Sequence, residues 1–135
     1  MIDFVDHNPL MIGLLVWAAA YLLALMFSGI VVKWLLRLAK VNADSSADHA
    51  GRVIGKIEDV LVVTFVAAGA YTALALIFAA KSIARIDHDK SEQASYYILG
   101  TLANFTWALL MALLAKLVLI YLGISLPLSS VHQIN

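Results

Sequence analysis

The sequence predicts an all-α integral membrane protein with three transmembrane helices, short loops and a basic juxtamembrane helix extension. Three observations lead there. Of the 135 residues, 63% are hydrophobic and only 13% are charged, against roughly 45–50% and about 25% in soluble domains. A globule of this size cannot cover its surface with so few polar groups. The apolar residues gather into three long runs, each about the length that crosses a ~30 Å hydrocarbon core as a helix. These runs are apolar on every face, unlike the alternating segments of a membrane barrel. Backbone groups in lipid must also pair within their own segment, which favours helices. The whole chain, 1–135, reads as one membrane domain.

The first run, Leu10 to Val32, holds 23 residues and no charge. Asn8-Pro9 precedes it, and proline suits a helix start because its missing N–H would be unpaired there anyway. Lys33, Arg37 and Lys40 follow at i, i+4 and i+7, so they share one face and extend the helix to about 10–40. With Trp34 they form an ordinary basic and aromatic flank at the membrane surface.

The second helix is expected over about 46–85. Ser45 and Asp48 resemble a capping box after the polar linker 42–50. Glu58 and Asp59 precede an uncharged run from Val60 to Ala80, and Lys81 and Arg85 follow it, an order that suits the helix macrodipole. Gly51 and Gly55 form a small-xxx-small pair. The third helix is expected over about 94–122, with Lys116 near one end and Gly123 and Pro127 as terminators.

Orientation follows from lysines and arginines near the helix ends. The N-terminal tail has none, the first loop and its flanks have five, and the second loop has three. Three crossings then place the N-terminus outside and the C-terminus, with Lys116, in the cytoplasm. The tail carries Asp3 and Asp6 and no base, and the apolar run is long, so it reads as a retained helix and not a cleaved signal peptide.

The sequence offers no catalytic constellation. There is no cysteine, no Gly-x-Ser-x-Gly, no His-Glu-x-x-His and no glycine-rich phosphate loop. His7, His49, His88 and His132 all lie outside the apolar runs, so no intramembrane haem pair or histidine base is expected. Asp3, Asp6, His7, Asp87, His88, Asp89 and Glu92 would together make an acidic outer mouth, read as solvated charge and not as a metal site. Nine bases balance nine acids, and nothing points to nucleic acid. The expectation is therefore no catalytic residue, no cofactor and no metal.

Polar groups within apolar runs are costly and so informative. Thr64, Gly69 and Thr72 on the second helix, and Gly100, Thr101 and Asn104 on the third, are the candidates for helix packing or for lining a pore. Glu58, Lys81, Arg85 and Lys116 are the candidates for a charged network, with a Glu58–Lys116 pair geometrically plausible.

Residues 51–102 carry a further pattern. Gly51, Ile54, Gly55 and Glu58, then Ala79, Ala80, Lys81, Ser82 and Arg85, then Tyr96, Gly100, Thr101 and Leu102 resemble an uncharacterised bacterial membrane-protein family with a GxxIGxxER, AAKSxxR, EYxxIGTL pattern. Asp59 stands where that pattern has Arg, and Ser95 where it has Glu. The resemblance implies a shared module in a bacterial inner membrane and supplies no reaction. Together these readings predict a non-enzymatic membrane subunit that sits in the lipid bilayer. It would form a homo-oligomer or anchor other membrane subunits. The alternative is a homo-oligomeric, cation-preferring channel or small transporter.

Overall fold

The computed structural model describes residues 8–40, 48–86 and 92–124. These form four helices: α1 (Pro9–Leu38), α2 (Asp48–Ala67), α3 (Tyr71–Ile86) and α4 (Glu92–Tyr121). The all-α expectation is met, with no strand among the described residues. Two helices are long and apolar enough to cross a membrane, α1 and the Ile98–Tyr121 part of α4. At ~1.5 Å per residue α1 is about 45 Å long, whereas the 16 residues of α3 reach only about 24 Å.

The expected single helix over 46–85 is corrected. It breaks after Ala67, and the chain doubles back. Gly69 adopts the left-handed conformation with φ 69°. Its N–H bonds Val66 O at 3.1 Å, and the N–H of Ala70 bonds Phe65 O at 2.8 Å. This pair of bonds is a Schellman cap, which satisfies the last carbonyls of α2. A Cβ at residue 69 would meet nothing within 4 Å, so glycine is needed there for its backbone and not for close packing. Gly69→Ala should lower stability by about 1–2 kcal/mol, read as a reduced Tm in detergent, and Gly69→Val should lower it further.

The same cap closes α4. Gly123 has φ 68°, and the N–H of Ile124 bonds Leu119 O at 2.9 Å. At the end of α1 the left-handed position is filled by Lys40, φ 54°, where a side chain is strained. Lys40→Gly should therefore raise Tm, by an increment worth up to about 1 kcal/mol.

Contacts across the helices fix their directions. Tyr21 meets Thr64, and Lys56 meets the carbonyl of Leu25, so α1 and α2 are antiparallel. Glu58 pairs with Lys81, so α3 returns alongside α2. Phe78 stacks on Phe105 and Tyr71 meets Lys116, so α4 runs antiparallel to α3. Trp107 reaches Leu23 O and Gly100 lies against Val32, so α4 is antiparallel to α1 as well. Asn8 and Ile124 consequently lie at one end of the bundle, and both interhelix connections, 41–47 and 87–91, leave from the other. Three antiparallel helices would have set Asn8 and Ile124 at opposite ends, and the break after Ala67 brings them to the same end. A hairpin adds no net crossing, whereas a single helix over 46–85 would have added one.

Small residues make up much of the core, alongside Trp17, Leu74 and Leu119. Ala20 and Ala24 of α1 and Ala108, Ala112 and Ala115 of α4 are buried, with Val62, Val63 and Val66 of α2 filling the seam. Small side chains let helices approach closely, the usual basis of contact where lipid is as apolar as protein.

Candidate functional site

Polar side chains gather between α2 and its neighbours. Asp59, on α2, is 0% exposed, and Asn104 of α4 is 6% exposed. The Asn104 amide Nδ2 donates to Asp59 Oδ1 at 2.8 Å and to the carbonyl of Gly55 at 2.9 Å. Residues 55 and 59 are one turn apart, so a single amide straps α4 to both. A Cβ on Gly55 would lie 3.5 Å from Asn104 Nδ2, an ordinary contact, so the strap depends on the Gly55 carbonyl and not on the missing side chain. Ser28 of α1, 3% exposed, faces the same carboxyl, and Lys56 acts on it through space. The Lys56 ammonium donates to Leu25 O at 2.6 Å. Asp59 Oδ2 is buried with no hydrogen-bond partner, as is the Trp17 indole nitrogen.

One residue earlier, Glu58 points toward α3 and forms an ion pair with Lys81, with side-chain exposures of 14% and 20%. Thr101 and Phe105 of α4 line the apolar recess beside this pair, together with Leu61 and Phe78. The structure thus brings together Glu58, Lys81 and Thr101, three of the sequence candidates. Lys116 is directed elsewhere: its ammonium donates to the Tyr71 hydroxyl and sits 4.9 Å from the ring centroid. The Glu58–Lys116 pair is replaced by these two separate contacts, because the hairpin carries Lys81 back to the level of Glu58. Arg85 lies in the last turn of α3, and its side chain falls outside the described residues.

The remaining candidates separate. Thr64 donates to Val60 O at 2.7 Å and accepts from the Tyr21 hydroxyl at 2.7 Å, which ties α2 to α1. Thr72 is exposed on α3. Gly100 is half-buried against Val32. Asn104 lies inside the bundle of a single chain, not on an outward face. The acidic mouth (Asp3, Asp6, His7, Asp87, His88, Asp89 and Glu92) lies outside the residues whose side chains are described. The helix ends that flank its two halves, Pro9 and Ile86, stand at opposite ends of the bundle.

Sequence reasoning placed Asp59 at the membrane surface and missed its burial. A signal was present: Asp59 is one residue from Glu58, and adjacent residues point about 100° apart on a helix, so the two acids could not share one partner. Gly55 and Asp59 also sit four apart, the spacing that one amide can bridge.

Compared with known proteins, the chain matches no protein family, no curated protein and no solved structure.

Proposed function

We propose that the chain is an integral membrane protein in which α1 and α4 cross the bilayer. In this reading the α2–α3 hairpin enters from one side and leaves by the same side. It acts as a non-enzymatic subunit that assembles a membrane complex, as copies of itself or with other membrane subunits. The observation that carries this reading is the division of polarity. The buried polar side chains Asp59, Asn104 and Ser28 and the Glu58–Lys81 pair lie between helices, while the outward surface is largely apolar, with Leu14 68%, Met26 67% and Ile120 66% exposed. Such a surface suits lipid and neighbouring membrane helices. The outward side of α3 adds Thr72, Ala75, Ala79 and Ser82, small residues that would allow close approach.

The hairpin also resolves the charge pattern. Of the eight lysines and arginines on the described helices and their caps, seven lie in the half of the bundle from which the connections 41–47 and 87–91 leave, and Lys116 lies in the other half. The positive-inside tendency then puts both connections in the cytoplasm and both termini outside, in a bacterial inner membrane if the family resemblance holds. The chain has no cysteine, so single cysteines can be placed without background. Asn8→Cys and Ser129→Cys should react with an impermeant maleimide on intact cells. Ser45→Cys and Ser91→Cys should react only after permeabilisation. Labelling of Ser91→Cys from outside, with Ser45→Cys protected, would restore three crossings. Ala75→Cys and Ala79→Cys should crosslink between chains. If every crosslink stays within one chain, self-assembly through α3 is excluded.

One observation favours the second reading, a cation-preferring homo-oligomeric channel or small transporter: the carboxyl of Asp59 inside the bundle, since intramembrane acids commonly mark ion paths. Purified protein in liposomes should then pass cations, with the flux altered in Asn104→Leu. No flux across ions and voltages would set this reading aside.

A further inference from the structure

We propose that Asp59 binds and releases one hydrogen ion inside the helical bundle, at the carboxyl oxygen Oδ2. Four observations carry this. The residue is fully buried. Its Oδ1 is held by Asn104 at 2.8 Å, which fixes the carboxyl in place. Its Oδ2 is sealed from solvent and has no hydrogen-bond partner. Among the described residues the two nearest ammonium groups make contacts elsewhere, Lys56 to Leu25 O and Lys81 to Glu58.

A buried carboxylate with one oxygen unsatisfied is costly, and the cost is relieved by taking up a cation. A sealed oxygen has no room for a hydrated metal ion, but a proton needs none. The step is the simplest acid–base exchange: a carboxylate and a hydrogen ion form one O–H bond, and nothing is oxidised or reduced. The groups that face the carboxyl are Ser28 from α1, Asn104 from α4 and Lys56 on α2 itself. With the proton on, the bundle encloses a neutral acid beside the Ser28 hydroxyl. With it off, the same space encloses a charge supported only by the Ser28 hydroxyl, the Asn104 amide and the more distant Lys56 ammonium. The contact of the hairpin with α1 and α4 therefore responds to protonation. If the chain transports, this makes the hydrogen ion the coupled species.

The inference rests on the membrane placement but not on assembly, and the test separates the two. Membranes containing the full chain are treated with a hydrophobic carbodiimide, which reacts with protonated carboxyls in apolar surroundings, and with a water-soluble carbodiimide. The labelled residue is read by peptide mass spectrometry, with Asp59→Asn as the unlabelled control. The hydrophobic reagent should label Asp59, with a yield falling at least about tenfold between about pH 6 and about pH 9. No label at any pH, a yield independent of pH, or suppression of the label by sodium at fixed pH would each overturn the proton site. Ready labelling of Asp59 by the water-soluble reagent would instead overturn the placement of this carboxyl away from water, and the proposal with it.

Discussion

Asn104→Leu is expected to destabilise the bundle by about 3 kcal/mol, the largest effect of any substitution considered. The amide makes two bonds, to Asp59 Oδ1 and to Gly55 O. Leucine has the same number of side-chain heavy atoms and suits the apolar bundle interior, so packing alone would make the change mild. The cost comes from what is left behind. Asp59 would lose the amide donor on Oδ1, and its other oxygen is already without a partner. Stranding a buried charged group costs far more than the net value of the bond that was lost. The expectation is checked by Tm in detergent micelles. Its distinctive feature is non-additivity. In an Asp59→Leu background the same Asn104→Leu change should cost under about 1 kcal/mol, because no carboxyl remains to be stranded. Equal costs in both backgrounds would show that the amide does not act through Asp59.

Lys81→Met is expected to cost about 2–3 kcal/mol, for a related reason with a different geometry. Glu58 and Lys81 pair across the hairpin, and each side chain is mostly buried. Removing the lysine leaves a carboxylate facing the apolar recess formed by Leu61 and Phe78. Breaking a buried pair is more destabilising than replacing both members together, so Glu58→Gln with Lys81→Met should recover most of the loss. The exchanged pair, Glu58→Lys with Lys81→Glu, should also fold, less stably than the native pair because the longer lysine then starts from α2 in a site packed for glutamate. The effect should appear first as loosening of α3, which buries only Leu74 fully among its described residues and relies on this pair, the Tyr71–Lys116 contact and the Phe78–Phe105 contact. Limited proteolysis after Arg85 should accelerate in Lys81→Met while cleavage near Arg37 stays unchanged.

Both effects arise where α2 meets its neighbours, and both depend on the reversal at Gly69. That reversal explains which parts of the molecule were legible in the sequence. The apolar run from Val60 to Ala80 has the length of a crossing helix, and length is all that hydropathy reports. Gly69, between Ala68 and Ala70, was visible, but glycine is common in membrane helices as a packing residue. Whether it packs or turns depends on whether Leu74, Ile77 and Phe78 find partners on α2, a matter decided by residues distant in sequence. The end of α4 was easier to read, because Gly123 stands at the edge of its apolar run and no competing continuation exists.

The sequence by itself determined the class: helical and strongly apolar, with α1 and the Ile98–Tyr121 part of α4 long and apolar enough to cross a bilayer. It also determined which residues carry polarity into apolar surroundings, Asn104 and Thr64 among them. Composition and local spacing suffice for this, because burial preference and helix length are properties of short segments. Only the tertiary structure decided that α2 and α3 are a hairpin and that both connections share one end. It also decided that Glu58 belongs to Lys81 and that Asp59 is enclosed with Asn104. Those outcomes depend on which helix faces meet, and pairing between distant segments follows from packing that no local window of sequence contains.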